Sequence, residues 1–311
     1  MLEEIVHQSF TGFGDCVTGY VSSYLFKTIL EQLYTHREIK LSINWKCVTC
    51  PYIRPQYLFR GSVHRHKRSM VTCLYSGSDG TQAFAQYYKS PKMYHDLRRR
   101  THLFLTINQY IGKCLIDNQI TREEVKKMTY QAYQYFWTHV IDHSLIPQIH
   151  YDFEQLTVAY VRLGDHYLCD KNPNVQQPLK DCYQWLTTVP LNSHFALIGD
   201  IDNQSMNQCW NSLNSLNSFH PNGITTTLID VSGTVSHSCG HLSLGEWEKI
   251  FHDLYLMYHA DQVVILNNDS NFTRIVLFLD RPDPQQIYLL KDHHLSLITD
   301  TSLIFAKHYQ F

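Results

Sequence analysis

Residues 157–165, with the sequence TVAYVRLGD, indicate the fold of the carboxy-terminal half of the chain. The run VAYV is continuously apolar and is followed by an arginine and a glycine turn, a pattern typical of a buried parallel strand that reaches the edge of its sheet. Segments with helical periodicity separate it from further short apolar runs, which are HFALI, TTTLI and QVVIL. This alternation of strands and helices predicts an α/β domain whose parallel sheet is covered on both faces.

The amino-terminal half also contains both kinds of element. A turn-forming stretch at residues 11–14 precedes apolar residues at helical spacing over residues 17–33. Residues 39–45 alternate as a strand does, and residues 122–141 have the pattern of a long helix with an acidic first turn. The last predicted element is a helix over residues 272–279. We therefore predict two α/β domains, residues 1–150 and 151–311, with a cleft between them.

Composition excludes several classes of protein. Of the 311 residues, 44% are hydrophobic and 17% are charged, which is the balance of a globular domain. A formal charge of −2 provides no general attraction for nucleic acid, so no nucleic-acid partner is expected. The start, MLEEIVHQSF, has acids where a signal peptide has bases, and no apolar stretch has the roughly 18–20 residues that span a bilayer. We expect no membrane span, and hence a cytoplasmic protein or a fragment of an anchored one.

Polar residues follow the carboxyl ends of the predicted strands, where open parallel sheets bind their ligands. Arg162, Asp200 and Asp230 each come directly after a strand. An arginine in this position either pairs with a carboxylate, such as Asp165, or holds phosphate with its planar fork of donors, and the spacing leaves both open. His237 lies in a glycine- and serine-rich loop after Asp230 and could donate to a phosphate or a sugar, or have no role.

Residues 160–165, YVRLGD, resemble the His-x-Arg-Arg-Gly-Asp motif of the GT-B fucosyltransferase superfamily. The loop GFGD at residues 12–15, ALIGDID at 196–202, and the segment from DLYLM to SNFT at 253–273 resemble further motifs of that superfamily, in the same order. Tyr160 replaces the family histidine, and Leu163 replaces the second arginine. The resemblance implies a GT-B-like fold of two Rossmann-like domains, in a bacterial or large-virus member.

The same resemblance implies a glycosyltransferase that is inverting and independent of metal. It would move fucose, or a related sugar such as xylose, to an oligosaccharide or glycoprotein acceptor. Its co-substrate would be a GDP- or UDP-sugar, for example GDP-fucose or UDP-xylose, and no cofactor or metal is implied. Arg162 would bind the donor's diphosphate and stabilise the leaving nucleotide. The full set of residues expected at the donor is Gly12, Gly14, Arg162, Asp200, Asp230, His237, Ser270, Phe272 and Thr273.

An inverting transfer needs a base that removes the proton of the acceptor hydroxyl. Asp15, in the glycine loop, is the leading candidate, and Asp165 and His143 are weaker ones. Asp15 could instead be the N-cap of the helix that is predicted to begin near Val17. The basic and aromatic stretch at residues 54–68, RPQYLFRGSVHRHKR, is expected to face the acceptor together with Asp15, although it would also suit single-stranded nucleic acid or a solvated loop.

Two other functions fit the sequence. Asp200 and Asp202 form an Asp-x-Asp pair after a strand, and metal-dependent GT-A transferases use such a pair to hold Mn²⁺ or Mg²⁺ through oxygen ligands. A non-catalytic nucleotide- or glycan-binding protein could also have kept this scaffold. Residues 268–270 and 271–273 match the N-glycosylation pattern where the phosphate-binding helix is expected to begin. The donor-site hypothesis therefore favours a protein that does not meet the secretory glycosylation machinery.

Overall fold

The computed structural model describes residues 2–9, 11–33, 38–45, 49–61, 80–146, 155–161, 194–199, 227–228, 242–266, 271–281, 285–291 and 294–298. Among the predicted site residues, these ranges include the glycine loop with Asp15, the start of the last predicted helix, and His143. The predicted site residues that lie outside the described ranges are Arg162, Asp165, Asp200, Asp202, Asp230, His237 and Ser270.

The first sheet consists of three parallel strands, β1 (Glu4–Ser9), β2 (Lys40–Trp45) and β3 (His102–Thr106), in the order β2-β1-β3. The first residues of all three strands are neighbours, because Glu4 pairs with Lys40 on one side and with His102 on the other. Only β2 was predicted, because polar residues interrupt the apolar pattern of β1 and the apolar run of β3 is only three residues long, 103–105. The chain order reverses around β1, the central strand. Sheets of this type bind their ligands at the carboxyl ends of the strands at that point.

The described part of the amino-terminal half contains five α-helices. They are α1 (Phe13–Leu33), α2 (Gly80–Tyr87), α3 (Pro91–Arg99), α4 (Gly112–Asp117) and α5 (Arg122–Tyr135). A capping box between Thr121 and Glu124 begins α5, and a π-helical turn continues it over Phe136–Val140. The helix α1 begins earlier than predicted, since the carbonyl of Gly12 already accepts from the amide of Cys16 at 2.9 Å. Asp15 therefore lies inside its first turn.

In the described residues, the second sheet has six strands in the order β6-β5-β4-β7-β8-β9. They are β4 (Leu156–Val161), β5 (His194–Gly199), β6 (Thr227–Leu228), β7 (Gln262–Leu266), β8 (Gln286–Lys291) and β9 (His294–Ile298). Two helices are described with it, α6 (Leu244–His259) and α7 (Asn271–Leu277). The chain order reverses between β4 and β7, as in the doubly wound sheets that bind nucleotides at that point. No helix in the described ranges is long and apolar enough to cross a membrane.

The end of the sheet differs from the prediction. The predicted last helix is present as α7, but the chain continues into β8 and β9. These two strands pair antiparallel, with Leu290 opposite Leu295. Only residues 292 and 293 separate them in the sequence, and a connection that short joins antiparallel neighbours, whereas parallel ones need a crossover. An antiparallel edge strand therefore completes an otherwise parallel sheet.

Aromatic side chains join the helices of the two sheets in one hydrophobic core. Phe13, the first residue of α1, contacts Trp247 and Phe251 of α6, with ring centroids 5.2 and 5.7 Å away. Tyr133 of α5 stacks on Phe278, directly after α7, with ring centroids 5.0 Å apart. These contacts hold the start of α1 and the end of α7 to the opposite half of the chain. The domain boundary at residue 150 stays a prediction.

His7 joins three elements of the first sheet from a fully buried position in β1. Its Nε2 donates to the carbonyl of Ile107 at 2.8 Å, and its Nδ1 accepts from the indole of Trp45 at 2.8 Å. Both ring nitrogens are therefore used by the neutral form of the ring. Burial lowers the pKa of His7 from 6.5 to about 4, although the bond to Ile107 opposes that shift.

The buried His7 is expected to make stability depend on pH. Between pH 6.5 and 4 the unfolded chain binds a proton that the folded ring does not, so the free energy of unfolding falls by about 3 kcal/mol as the pH is lowered through this window. In His7→Gln, the fall over the same window should be smaller by about that amount. Chemical denaturation at several pH values measures it. His95→Gln, at an exposed histidine, is the matched control, and an unchanged slope in His7→Gln would contradict the prediction.

Candidate functional site

The amino ends of α1 and α7 meet, although they come from opposite ends of the sequence. A Cβ atom added to Gly14 would lie 2.8 Å from the backbone nitrogen of Phe272 and 3.2 Å from the Cβ of Asn271. Only a glycine allows the two backbones to approach so closely. Two segments predicted to belong to one site, the glycine loop and the start of the last helix, are therefore in contact.

A hydrogen bond joins Asp15 of α1 to Asn271 of α7 at this contact between the two helix starts, which we call the junction. The Oδ1 of Asp15 accepts from the Nδ2 of Asn271 at 2.5 Å, across 256 positions of sequence. The Oδ1 of Asn271 in turn accepts from the Nη1 of Arg274, whose side chain is only 2% exposed. The amide of Asn271 thus connects a half-buried carboxylate to a buried guanidinium. Because Asp15 lies within the first turn of α1, its interpretation as the N-cap of a helix starting near Val17 is wrong.

The position of Asp15 is also electrostatically favourable. It is the acidic residue of the first turn of α1, where the unpaired backbone N–H groups give the helix end a partial positive charge. Its partner Asn271 is the first residue of α7, so a second helix begins at the same place. One negative charge therefore lies between two helix amino ends that would otherwise repel each other.

A third predicted segment reaches the junction through Tyr160. This residue is next to the last in β4, is 4% exposed, and lies between Ile198 and Ile265 of the neighbouring strands. Its ring stacks on that of Phe272, with centroids 5.7 Å apart and planes inclined by 23°. The tyrosine that stands at the histidine position of the resembling motif therefore packs against the start of α7. Sequence reasoning missed this role, as it missed Asn271 and Arg274.

The strands β4, β5 and β7 end side by side. Val161 pairs with Gly199 on one side and with Leu266 on the other. Gly199 has φ 145°, a backbone conformation that favours glycine. Arg162 and Asp200 follow these strand ends directly but lie outside the described residues, as do residues 267–270. Their roles at the donor stay predictions.

Two further predicted residues, Thr273 and His143, lie within the described ranges. Thr273 is fully buried, so its side chain does not reach solvent, and its assignment as a phosphate ligand stays a prediction. Within the described ranges, the Nε2 of His143 donates to the carbonyl of Trp137 at 2.6 Å. In the same ranges, no three His, Cys, Asp or Glu side chains are close enough to hold a metal ion, and Asp200 and Asp202 fall outside them.

The basic and aromatic stretch is not beside Asp15 in its described part, residues 54–61. Leu58 pairs with Ile43 of β2, and the amide of Phe59 donates to the carbonyl of Ile43 at 2.9 Å. The residues after this bridge line a pocket with Glu4, at the amino end of β1. Asp15 follows the other end of that strand, so the pocket-lining residues of this stretch lie at the opposite end of the sheet from the junction. Residues 62–68 lie outside the described ranges.

No protein-family model and no curated protein sequence matches the chain. Several solved structures do match the chain. NodZ alpha-1,6-fucosyltransferase co-crystallized with GDP has a TM-score of 0.50 at 14% identity, over 96% of this chain and 98% of that one. The fucosyltransferase NodZ from Bradyrhizobium also scores 0.50 at 14% identity, over 96% and 99% of the two chains. A mutant of Arabidopsis thaliana FUT1 in complex with GDP scores 0.54 at 12% identity, over 94% and 72%. The predicted fold class is thus confirmed, and the chain has the GT-B fold of the fucosyltransferases.

Proposed function

We propose that the protein is an inverting, metal-independent glycosyltransferase that moves a sugar from a nucleotide diphosphate to an oligosaccharide or glycoprotein acceptor. The observation that carries the proposal is the pairing of Asp15 with Asn271, where α1 begins after β1 and α7 begins after β7. Two of the structures with this fold contain GDP, which supports a nucleotide-sugar donor. GDP-fucose and UDP-xylose are the donors to test first.

The donor side of the proposal rests on the ends of β4, β5 and β7. Arg162 follows Val161 directly in the sequence, and Val161 ends β4 at the point where the strand order reverses. We assign its guanidinium to the diphosphate, which it would clamp with paired charge-assisted hydrogen bonds. Ser270 and the start of α7 would add donors to the same phosphates, whereas Asp200, Asp230 and His237 would contact the nucleoside or sugar.

The acceptor side of the proposal rests on Asp15. Its carboxylate takes the proton of the acceptor hydroxyl while that oxygen forms a bond to the anomeric carbon. The bond from this carbon to the diphosphate breaks at the same time, and its electron pair leaves with the nucleotide, whose charge Arg162 stabilises. Attack from the face opposite the leaving group inverts the configuration. Asn271 acts as a positioning residue, because its amide holds the carboxylate without competing for the proton.

The junction also supports a cytoplasmic location. Asn271 lies in an N-glycosylation pattern with Phe272 and Thr273. The atom that glycosylation would modify is the Nδ2 of Asn271, which donates to Asp15. A glycan on this nitrogen would displace the contact and cover the proposed base. We therefore propose that the protein works where Asn271 is not modified.

Nucleotide binding is tested by thermal unfolding with GDP, UDP, GDP-fucose and UDP-xylose. The preferred nucleotide at about 100 times its Kd should stabilise the wild-type protein by about 2.7 kcal/mol. At the same nucleotide concentration, Arg162→Ala should lose about 1.3–2.3 kcal/mol of this stabilisation, because removal of the paired charged hydrogen bonds weakens binding by about 10–100-fold. Arg99→Ala, at an exposed arginine of α3, is the matched control and should respond as the wild type does.

The unfolding measurements test the nucleotide site and the role of Arg162 separately. If none of the four nucleotides stabilises the wild type, the donor-site proposal fails. If Arg162→Ala is stabilised as much as wild type, Arg162 is not the phosphate ligand. Transfer or donor hydrolysis is then measured with the best donor in EDTA. Complete loss of activity that Mn²⁺ restores would contradict the metal-independent mechanism.

A further inference from the structure

A separate pocket of about 540 Å³ lies at the amino ends of β1, β2 and β3. Its volume is within the range of about 300–1,000 Å³ that is usual for small-molecule sites. The five residue steps of β1 separate it from the loop that leads to Asp15, a distance of about 16 Å along the strand. The lining residues are Glu4, Lys40, Gln56, Leu58, Phe59, Arg60, Gly61 and His102.

A neutralised ion cluster forms one wall of the pocket. Glu4 is 9% exposed, and its carboxylate accepts from the hydroxyl of Ser42. The same carboxylate lies 3.3 Å from the Nζ of Lys40 and 3.2 Å from the Nε2 of His102. The one acidic residue of the lining is thus paired with a cation. An anion in the pocket would meet little uncompensated negative charge.

Two other lining residues have no partner in the described part of the chain. Arg60 and Gln56 are exposed, and neither makes a hydrogen bond or an ion pair there. In the same segment, the half-buried ring of Phe59 packs edge-to-face against the rings of His102 and Phe104, with centroids 6.1 and 5.4 Å away. A free guanidinium, a free amide and a fixed aromatic ring therefore line one cavity.

We propose that this pocket binds an acidic sugar unit. The carboxylate of the sugar would bind the guanidinium of Arg60, whose planar fork matches it with two parallel hydrogen bonds. The apolar face of the sugar ring would pack on Phe59, and the amide of Gln56 would both donate to and accept from hydroxyls. An inorganic anion uses only the first of these contacts and leaves most of the volume unfilled. The proposal does not depend on transfer activity, since it concerns the opposite end of the sheet.

Ligand-observed NMR titrations with D-glucuronate, D-glucose and inorganic phosphate test this site on the full chain. Glucuronate should bind at least about tenfold more tightly than glucose, because only glucuronate forms the charged hydrogen bonds to Arg60. Arg60→Ala should remove this difference, and Gln56→Ala should weaken both sugars. Arg122→Ala, at an exposed arginine outside the pocket, should bind as the wild type does. Saturating GDP should not displace glucuronate.

Three results would overturn the proposal. Glucuronate and glucose could bind equally, which would remove the role of the carboxylate. Arg60→Ala could retain the wild-type preference, which would place the ligand elsewhere. Phosphate could bind as tightly as glucuronate, which would show a simple anion site without recognition of a sugar. Both pocket variants change exposed side chains, so loss of the fold is not expected to obscure the result.

Discussion

Asp15→Asn is expected to lower the rate of sugar transfer by about 10²- to 10⁴-fold, the usual contribution of a general base. The substitution keeps the size of the side chain and the oxygen that accepts from Asn271. The junction between α1 and α7 should therefore persist, whereas the amide cannot take the proton of the acceptor. Measurement of kcat together with the donor Kd separates the two roles. Equal losses of rate and of donor affinity would show that Asp15 is structural.

A double-mutant cycle extends this test to Asn271. Asn271→Ala should lower kcat by about tenfold, because it releases the carboxylate from its fixed orientation. In the Asp15→Asn background the same change should have little further effect, since no base remains to be oriented. If the two effects multiply, Asn271 supports the fold and does not position Asp15. Asn118→Ala is the matched control. Asn118 follows α4, and its amide donates to the carbonyl of Cys114. Loss of this amide should leave kcat unchanged.

Gly19→Ala is expected to destabilise the fold by about 3 kcal/mol or more, which is at the upper end of the cost of overpacking a core. A Cβ atom at Gly19 would overlap the carbonyl oxygen of Ile107 and lie 2.5 Å from the Nε2 of His7. That carbonyl accepts from His7, so relief of the overlap requires either that α1 moves away from the first sheet or that the carbonyl shifts and its buried hydrogen bond breaks. The midpoint of thermal unfolding should fall by about 5–10 °C.

The matched control for Gly19→Ala is Gly245→Ala. Gly245 lies near the start of α6, and a Cβ atom there would meet nothing within 4 Å. Alanine is a better helix former than glycine, so this change should leave stability unaltered or raise it by up to about 1 kcal/mol. Both variants are compared by denaturant unfolding. Equal stability of the two variants would mean that α1 does not pack on Ile107 as closely as described.

Several elements were predictable because their signals are local. The runs VAYV and QVVIL became β4 and β7, since a short continuous apolar run suits a strand with both faces covered. The glycine loop at residues 12–15 leads into α1, and the acidic segment after Thr121 begins α5. The order of the resembling motifs predicted the fold class. By contrast, β1 was missed because its polar residues face partners that come from other strands, such as Trp45 for His7.

The sequence by itself determined the alternation of strands and helices, the class of fold and the candidates for the chemistry, because periodicity and motif order are properties of neighbouring residues. Only the tertiary structure decided which candidates meet. Asp15 lies beside Asn271 because two strand ends bring the starts of α1 and α7 together and Gly14 permits the contact. Phe59 and Arg60 instead lie with Glu4 at the other end of the first sheet. Such contacts follow from strand order and close packing between distant segments, which no local pattern encodes.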